Sequence, residues 1–163
     1  MQKALFKTEE IEKKLGYGEL LAKQCGYKNI IGVDEAGRGA LAGPVVAACV
    51  YFDEIIEGVN DSKQLSVSER EKHFKTITEK CIFGVYAVDN EIIDKINILN
   101  ATKKAMEQSI DLLKEKQSKI DVILIDGNQK IKYNLPQITI VKGDSLSYSI
   151  AMASIIAKVT RDN

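Results

Sequence analysis

Three short apolar runs in this chain each deliver an aspartate. They are Lys28–Asp34 (KNIIGVD), Asp121–Ile125 (DVILI, followed by Asp126) and Gln137–Lys142 (QITIVK, followed by Gly143 and Asp144). Runs this short, β-branched and apolar at nearly every position read as buried strands, and such strands need helices over the sheet. Two more runs complete a set of five: Pro44–Phe52 (PVVAACVYF) and Cys81–Val88 (CIFGVYAV). Pro44 stands at the start of its run, where a missing N–H is tolerated.

The segments between have helical spacing. Residues 8–24 place Ile11, Leu15 and Leu20 on one face with Thr8 as N-cap, so residues 1–27 are expected to form a helical N-terminal extension. Ser66-Val67-Ser68-Glu69 fits a capping box, opening a helix with Val67, Phe74 and Ile77 on one side. A helix is expected from Asn90 to about Lys116, broken near Asn97–Asn100, with Met106, Ile110 and Leu113 inward. A last helix spans Ser147 to Arg161, and its outer face is expected to be apolar enough for some self-association. The order β-β-helix-β-helix-β-β-helix predicts an α/β fold with a five-stranded mixed sheet covered by helices. At 163 residues, one domain over 1–163 is expected.

Composition excludes several classes. Hydrophobic residues are 45% and charged residues 28%, which fits neither a disordered chain nor a coiled coil. Met1–Glu10 holds two lysines and two glutamates and no apolar stretch, so it is not a secretory signal, and a cytoplasmic location is expected. Cys25, Cys49 and Cys81 are odd in number and far apart, and read as reduced thiols. The 23 basic and 23 acidic residues cancel, but from Lys95 to Arg161 there are 11 basic against six acidic. That stretch either faces a polyanion or forms solvated helix faces.

Asp34, Glu35, Asp126 and Asp144 all stand at strand ends, where ligands gather in open α/β sheets. One such acid alone more often caps a helix or faces water. Four in one place repel unless a divalent cation relieves them. Mg²⁺ or Mn²⁺ suits an all-oxygen site. Two such ions about 3.5–4 Å apart activate a water and stabilise a leaving oxygen. Gly37-Arg38-Gly39 follows the first strand. A dinucleotide-binding turn is excluded there: Gly43 comes one residue late for the fingerprint, and a strand follows instead of a helix. The glycines serve either a positive-φ turn or close backbone approach to a sugar. His73 lies outside every motif and reads as helix packing.

The segments GVDEAGRGALAGPVVAACV (Gly32–Val50), DSKQLS (Asp61–Ser66), NILNATKKAM (Asn97–Met106), DVILIDGN (Asp121–Asn128) and KGDSLSYSIAMASIIAKVTRD (Lys142–Asp162) closely resemble bacterial ribonuclease HII from about Ile30 to Asn163. The resemblance implies an RNase H-like three-layer fold. It implies a metal-dependent endonuclease that cuts the RNA strand of RNA–DNA hybrids; nothing in the sequence suggests other than a monomer, and a monomer is expected. The same enzyme would nick duplex DNA on the 5′ side of an embedded ribonucleotide, leaving 3′-hydroxyl and 5′-phosphate ends. Its four catalytic and metal-holding acids fall on Asp34, Glu35, Asp126 and Asp144, with Mn²⁺ or Mg²⁺ as cofactor, two ions with substrate bound. Its glycine-arginine-glycine motif, which reads the ribonucleotide 2′-hydroxyl, falls on Gly37, Arg38 and Gly39, and a phosphate-holding lysine falls on Lys63.

Two neighbouring readings stand beside this one. Ribonuclease HIII shares the DEAGRG segment, but carries a separate N-terminal domain and usually a glutamate as fourth acid, where this chain has Asp144. The last helix reaches Asn163 with no C-cap glycine or following proline, so a C-terminal segment of the family is expected to be missing. A non-catalytic or weakly active hybrid-binding fragment is therefore the other alternative.

Overall fold

The computed structural model describes residues 11–37, 43–60 and 62–163. Five strands form one sheet in the order β3-β2-β1-β4-β5. They are β1 (Ile30–Ala36), β2 (Val45–Tyr51), β3 (Ile82–Val88), β4 (Val122–Asp126) and β5 (Gln137–Ile140). β1, β2 and β3 pair antiparallel, whereas β4 runs parallel to β1, and β5 to β4. The helices are α1 (Tyr17–Gln24), α2 (Val67–Lys80), α3 (Asn90–Lys114) and α4 (Tyr148–Asp162). The expected α/β architecture is present: a mixed five-stranded sheet between helical layers.

Strand alternation divides the core. Ile31, Val33, Ala47, Cys49, Ile123 and Ile125 face α3, where Ala105, Met106, Ile110 and Leu113 cover them. Val46, Ala48 and Val50 face the other way, toward α4 and Ile77 of α2. The central strands are buried on both faces, which is why they read as unbroken apolar runs.

Several boundaries differ from the sequence expectation. The helix expected over residues 8–24 is confined, among the described residues, to Tyr17–Gln24, and Thr8 lies outside them. Gly16 at its N-cap has φ +101°, a left-handed turn that ends any helix arriving from Ile11 and Leu15. The helix buries Gly18, Glu19 and Ala22, while Leu20 is 51% exposed. β1 runs on to Ala36, because its pairing with β2 continues to Ala36–Val46, so Asp34 and Glu35 lie inside the strand. β5 stops at Ile140: Lys142 turns left-handed at φ 58° and starts a 3-10 turn over Gly143–Ser145. The capping box forms as expected, with Glu69 N–H donating to Ser66 Oγ and Ser66 N–H to Glu69 Oε1.

α4 has little outer face. Ser149–Ala157 and Val159 are all buried, Ser149 and Ile150 against α1 and the sheet and the later residues against the sheet and α2, which corrects the expected exposed apolar surface. Of the longer side chains in its last two turns, Lys158 and Asp162 are exposed.

The break expected in α3 is a kink at Asn97, with φ 70° and ψ 168°. Those angles lie in a region that essentially only glycine enters, at a cost of about 1–3 kcal/mol for other residues. Asn97 Oδ1 repays a little by accepting the Asn100 N–H at 2.9 Å. Replacing an asparagine cap by glycine costs only a few tenths of a kcal/mol. Asn97→Gly is therefore expected to stabilise the fold by about 1 kcal/mol, read as a higher urea midpoint at unchanged slope. A lower midpoint would show that the asparagine side chain outweighs the strain.

Candidate active site

β1 sends Asp34 toward α4 and Glu35 toward α3, because successive strand side chains alternate. The register pairs Val33 with Ile125, so the next residues, Asp34 and Asp126, stand side by side on the α4 face. Asp144 reaches the same place from a 3-10 turn rather than a strand end. Asp126 holds that turn: its Oδ1 accepts the Asp144 N–H at 3.3 Å. Asp34 Oδ1 accepts the Glu35 N–H at 2.7 Å.

The result is a cleft of about 230 Å³ bordered by Asp34, Glu35, Asp126 and Asp144. All four predicted acids are thus brought together. Glu35 also borders a second, smaller cavity of about 50 Å³ on the α3 side, beside Leu99, Thr102 and Lys103. It stands at the sheet's rim, accessible to both.

Asp34 and Asp144 are buried, at 4% and 6% exposure. Burial raises the Asp34 carboxyl well above the usual carboxylate range, and the charges of Asp126, Glu35 and Asp144 raise it further. Burial also raises Asp126, against the hydrogen bonds from Gly143 and Asp144 and the positive charge of Lys63. Among the described residues, no three His, Cys, Asp or Glu side chains already stand in a closed metal-ligating geometry. The acids supply an all-oxygen, electron-rich donor set in an open cleft. That chemistry fits a hard cation that completes its shell with water and substrate oxygens.

This electrostatic arrangement sets a pH dependence. The folded state holds its Asp34 proton to higher pH than the unfolded chain does. Stability from this group is therefore full below the unfolded pKa of about 3.9 and is lost as pH rises through the raised folded value. In chelator, the wild-type urea midpoint should fall across that window more steeply than that of Asp34→Asn. Parallel curves for the two proteins would show that the carboxyl is not strained.

Lys63 lies on a 3-10 turn (Ser62–Gln64), is exposed, and borders the acid cleft. Gly37 borders it too, with φ +95°. Arg38 and Gly39 lie outside the described residues. The serines of the last helix take different roles. Ser147 Oγ caps α4 by accepting the Ile150 N–H at 3.1 Å, whereas Ser154 and Lys158, one turn apart, border the cleft. His73 packs near Gly58, away from the acids.

The sequence reading missed three residues that support the site. Arg161 Nε donates to Pro44 O at 3.0 Å, beneath Gly37. Asn90 Oδ1 accepts the Gly43 N–H at 3.1 Å. These two pin the stem of the glycine segment from the ends of two different helices. Glu19 of α1 binds the start of α4. Only Arg161 carried a signal, lying within the TRD segment; the other contacts depend on tertiary approach.

Comparison with known proteins gives a consistent picture. The family model described as ribonuclease HII matches residues 31–163. The chain is 56% identical to ribonuclease HII of Acetivibrio thermocellus over 144 residues, covering 86% of this chain and 55% of that protein. It is 50% identical to ribonuclease HII of Ruminiclostridium cellulolyticum over 157 residues, covering 94% of this chain and 60% of that protein. The chain thus spans little more than half the length of these curated relatives. Among solved structures, Bst-RNase HIII in complex with Mn²⁺ superposes with a TM-score of 0.73 at 26% identity, over 87% of this chain and 54% of that one.

Proposed function

Since the chain belongs to the ribonuclease HII family, we propose that it is a metal-dependent endoribonuclease acting on RNA–DNA hybrids and on duplex DNA containing single ribonucleotides. The observation that carries this reading is Asp34, a buried carboxyl raised by three neighbouring acids in one cleft. Such a site is costly in the metal-free protein and is relieved by a bound cation. Asp34, Glu35, Asp126 and Asp144 are the residues that would hold Mn²⁺ or Mg²⁺, two ions with substrate bound. When bound, those ions supply an activated water and charge stabilisation for the leaving 3′ oxygen.

The protein's own groups do the rest. Lys63 and Lys158 border the acids and offer positive charge to the phosphate being cut. Gly37 and Gly39, which lack a Cβ, would let the backbone of the Gly37-Arg38-Gly39 segment approach the ribonucleotide 2′-hydroxyl, the group that distinguishes RNA from DNA. Cleavage on the 5′ side of the ribonucleotide would leave 3′-hydroxyl and 5′-phosphate ends. The enzyme is expected to work as a monomer in the cytoplasm; no helix among the described residues is long and apolar enough to cross a membrane.

The test is a duplex with one ribonucleotide, incubated with Mn²⁺ or with chelator, the products read by length and end chemistry. Metal-dependent nicking on the 5′ side is expected. Retention of the duplex without cutting in Mn²⁺ would make the chain a hybrid-binding protein instead.

A further inference from the structure

Glu19 is buried, at 7% exposure, and lies on α1, ahead of residues 31–163 that the family model matches. Its carboxylate is fully engaged across the chain. Oε1 accepts the Tyr148 N–H at 3.0 Å. Oε2 accepts the Ser149 N–H at 3.0 Å and the hydroxyls of Ser147 and Ser149, each at 2.7 Å. One residue earlier, the Gly18 N–H donates to Leu146 O at 2.8 Å. A buried carboxylate at a helix N-terminus with several donors is a strong, directional clamp.

The clamped segment carries Asp144. Leu146 and Ser147 donate their N–H groups to Gly143 O, at 2.9 and 2.8 Å, and Ser145 N–H donates to Lys142 O at 3.0 Å. The 3-10 turn is thus closed on the residues that Gly18 and Glu19 grip. On its other side, Asp126 Oδ1 accepts the Asp144 N–H. Asp144 therefore sits on a short turn held at two points, by Asp126 and by Glu19.

We propose that Glu19 is a positioning residue for Asp144: by fixing Ser147 and the first turn of α4, directly after the 3-10 turn, it sets where the fourth acid stands relative to Asp34 and Asp126. This rests on the reading of the cleft as a metal site. It predicts that loss of the Glu19 charge weakens metal binding at acids that Glu19 itself does not touch. Partners behind a ligand commonly change metal affinity about 10–100-fold when removed.

The experiment compares wild type, Glu19→Gln, Ser149→Ala, Asp34→Asn and a reference variant, Ile110→Val, whose side chain packs on the opposite face of the sheet. Mn²⁺ affinity is measured by titration of the free protein, and hydrogen exchange is followed at the amides of Ser145–Ser147. Glu19→Gln keeps the shape but turns an amide donor toward groups that themselves donate. It is expected to bind Mn²⁺ about tenfold more weakly, with faster exchange at those amides. Ile110→Val should match wild type in both. If Glu19→Gln melts lower but binds Mn²⁺ within twofold of wild type, Glu19 is merely structural and the proposal is overturned. If Glu19→Gln does not fold, Ser149→Ala decides: it removes one of the hydroxyl donors, and must still bind Mn²⁺ more weakly than Ile110→Val. Equal affinity for those two variants overturns the proposal. Wild type and Asp34→Asn binding Mn²⁺ equally poorly would instead overturn the metal reading of the cleft, and this proposal with it.

Discussion

Asp34→Asn should lower single-turnover cleavage of a ribonucleotide-containing duplex by about 10³-fold or more, a loss of about 4 kcal/mol of transition-state stabilisation. The amide keeps the shape of the side chain and can still accept the Glu35 N–H. It cannot carry the charge that, on the proposed function, would hold a cation among Glu35, Asp126 and Asp144. In chelator, the same variant should melt higher than wild type, because the most buried of four crowded carboxyls has been neutralised. Asp126→Asn should lose activity similarly, and its Oδ1 can still accept the Asp144 N–H that orders the turn. Activity near wild type in either variant would dissolve the four-acid site. A fall in melting temperature for both, in chelator, would show that the acids do not repel one another.

The second large effect concerns Gly37. Its φ of +95° disfavours any side chain. A Cβ there would fall 2.5 Å from Pro44 O, and closer still to the Arg161 guanidinium. Arg161 can swing aside, but the carbonyl belongs to the backbone at the start of β2. Gly37→Ala should therefore shift the glycine segment, at a local cost of about 1–3 kcal/mol. A displacement of about 1 Å at a reacting centre can cost about 10²-fold. Cutting at a single ribonucleotide is expected to fall by about that factor. Affinity for plain duplex DNA, which rests on phosphate contacts, should hold within about threefold. Equal losses on both measures would make Gly37 a folding residue only.

The acids were legible from the residues, since each lies at or just beyond an apolar run; the runs that carry Asp34, Glu35 and Asp126 are strands largely buried in the sheet, and the one before Asp144 is the half-buried edge strand. The glycine segment was legible as a motif, but the reason alanine fails there was not. Arg161 lies 124 positions from Gly37, and no local pattern joins them.

The sequence by itself determined the five strands, the capping box at Ser66, the break near Asn97 and the order that places strands between helices. All of these follow from periodicity and turn chemistry within a few residues. It also determined which carboxylates are available. Only the tertiary structure decided that Asp34 and Asp126 share a face through the β1–β4 register while Glu35 approaches from the other side. It decided that Asp144 arrives on a 3-10 turn, and that Glu19 reaches Ser149 across 130 positions to hold that turn. It also buried α4 almost all round, where the pattern had suggested an open face. Local patterns report what each segment prefers. Which side chains meet is set by strand register and by the packing of elements that are close in space and remote in the chain.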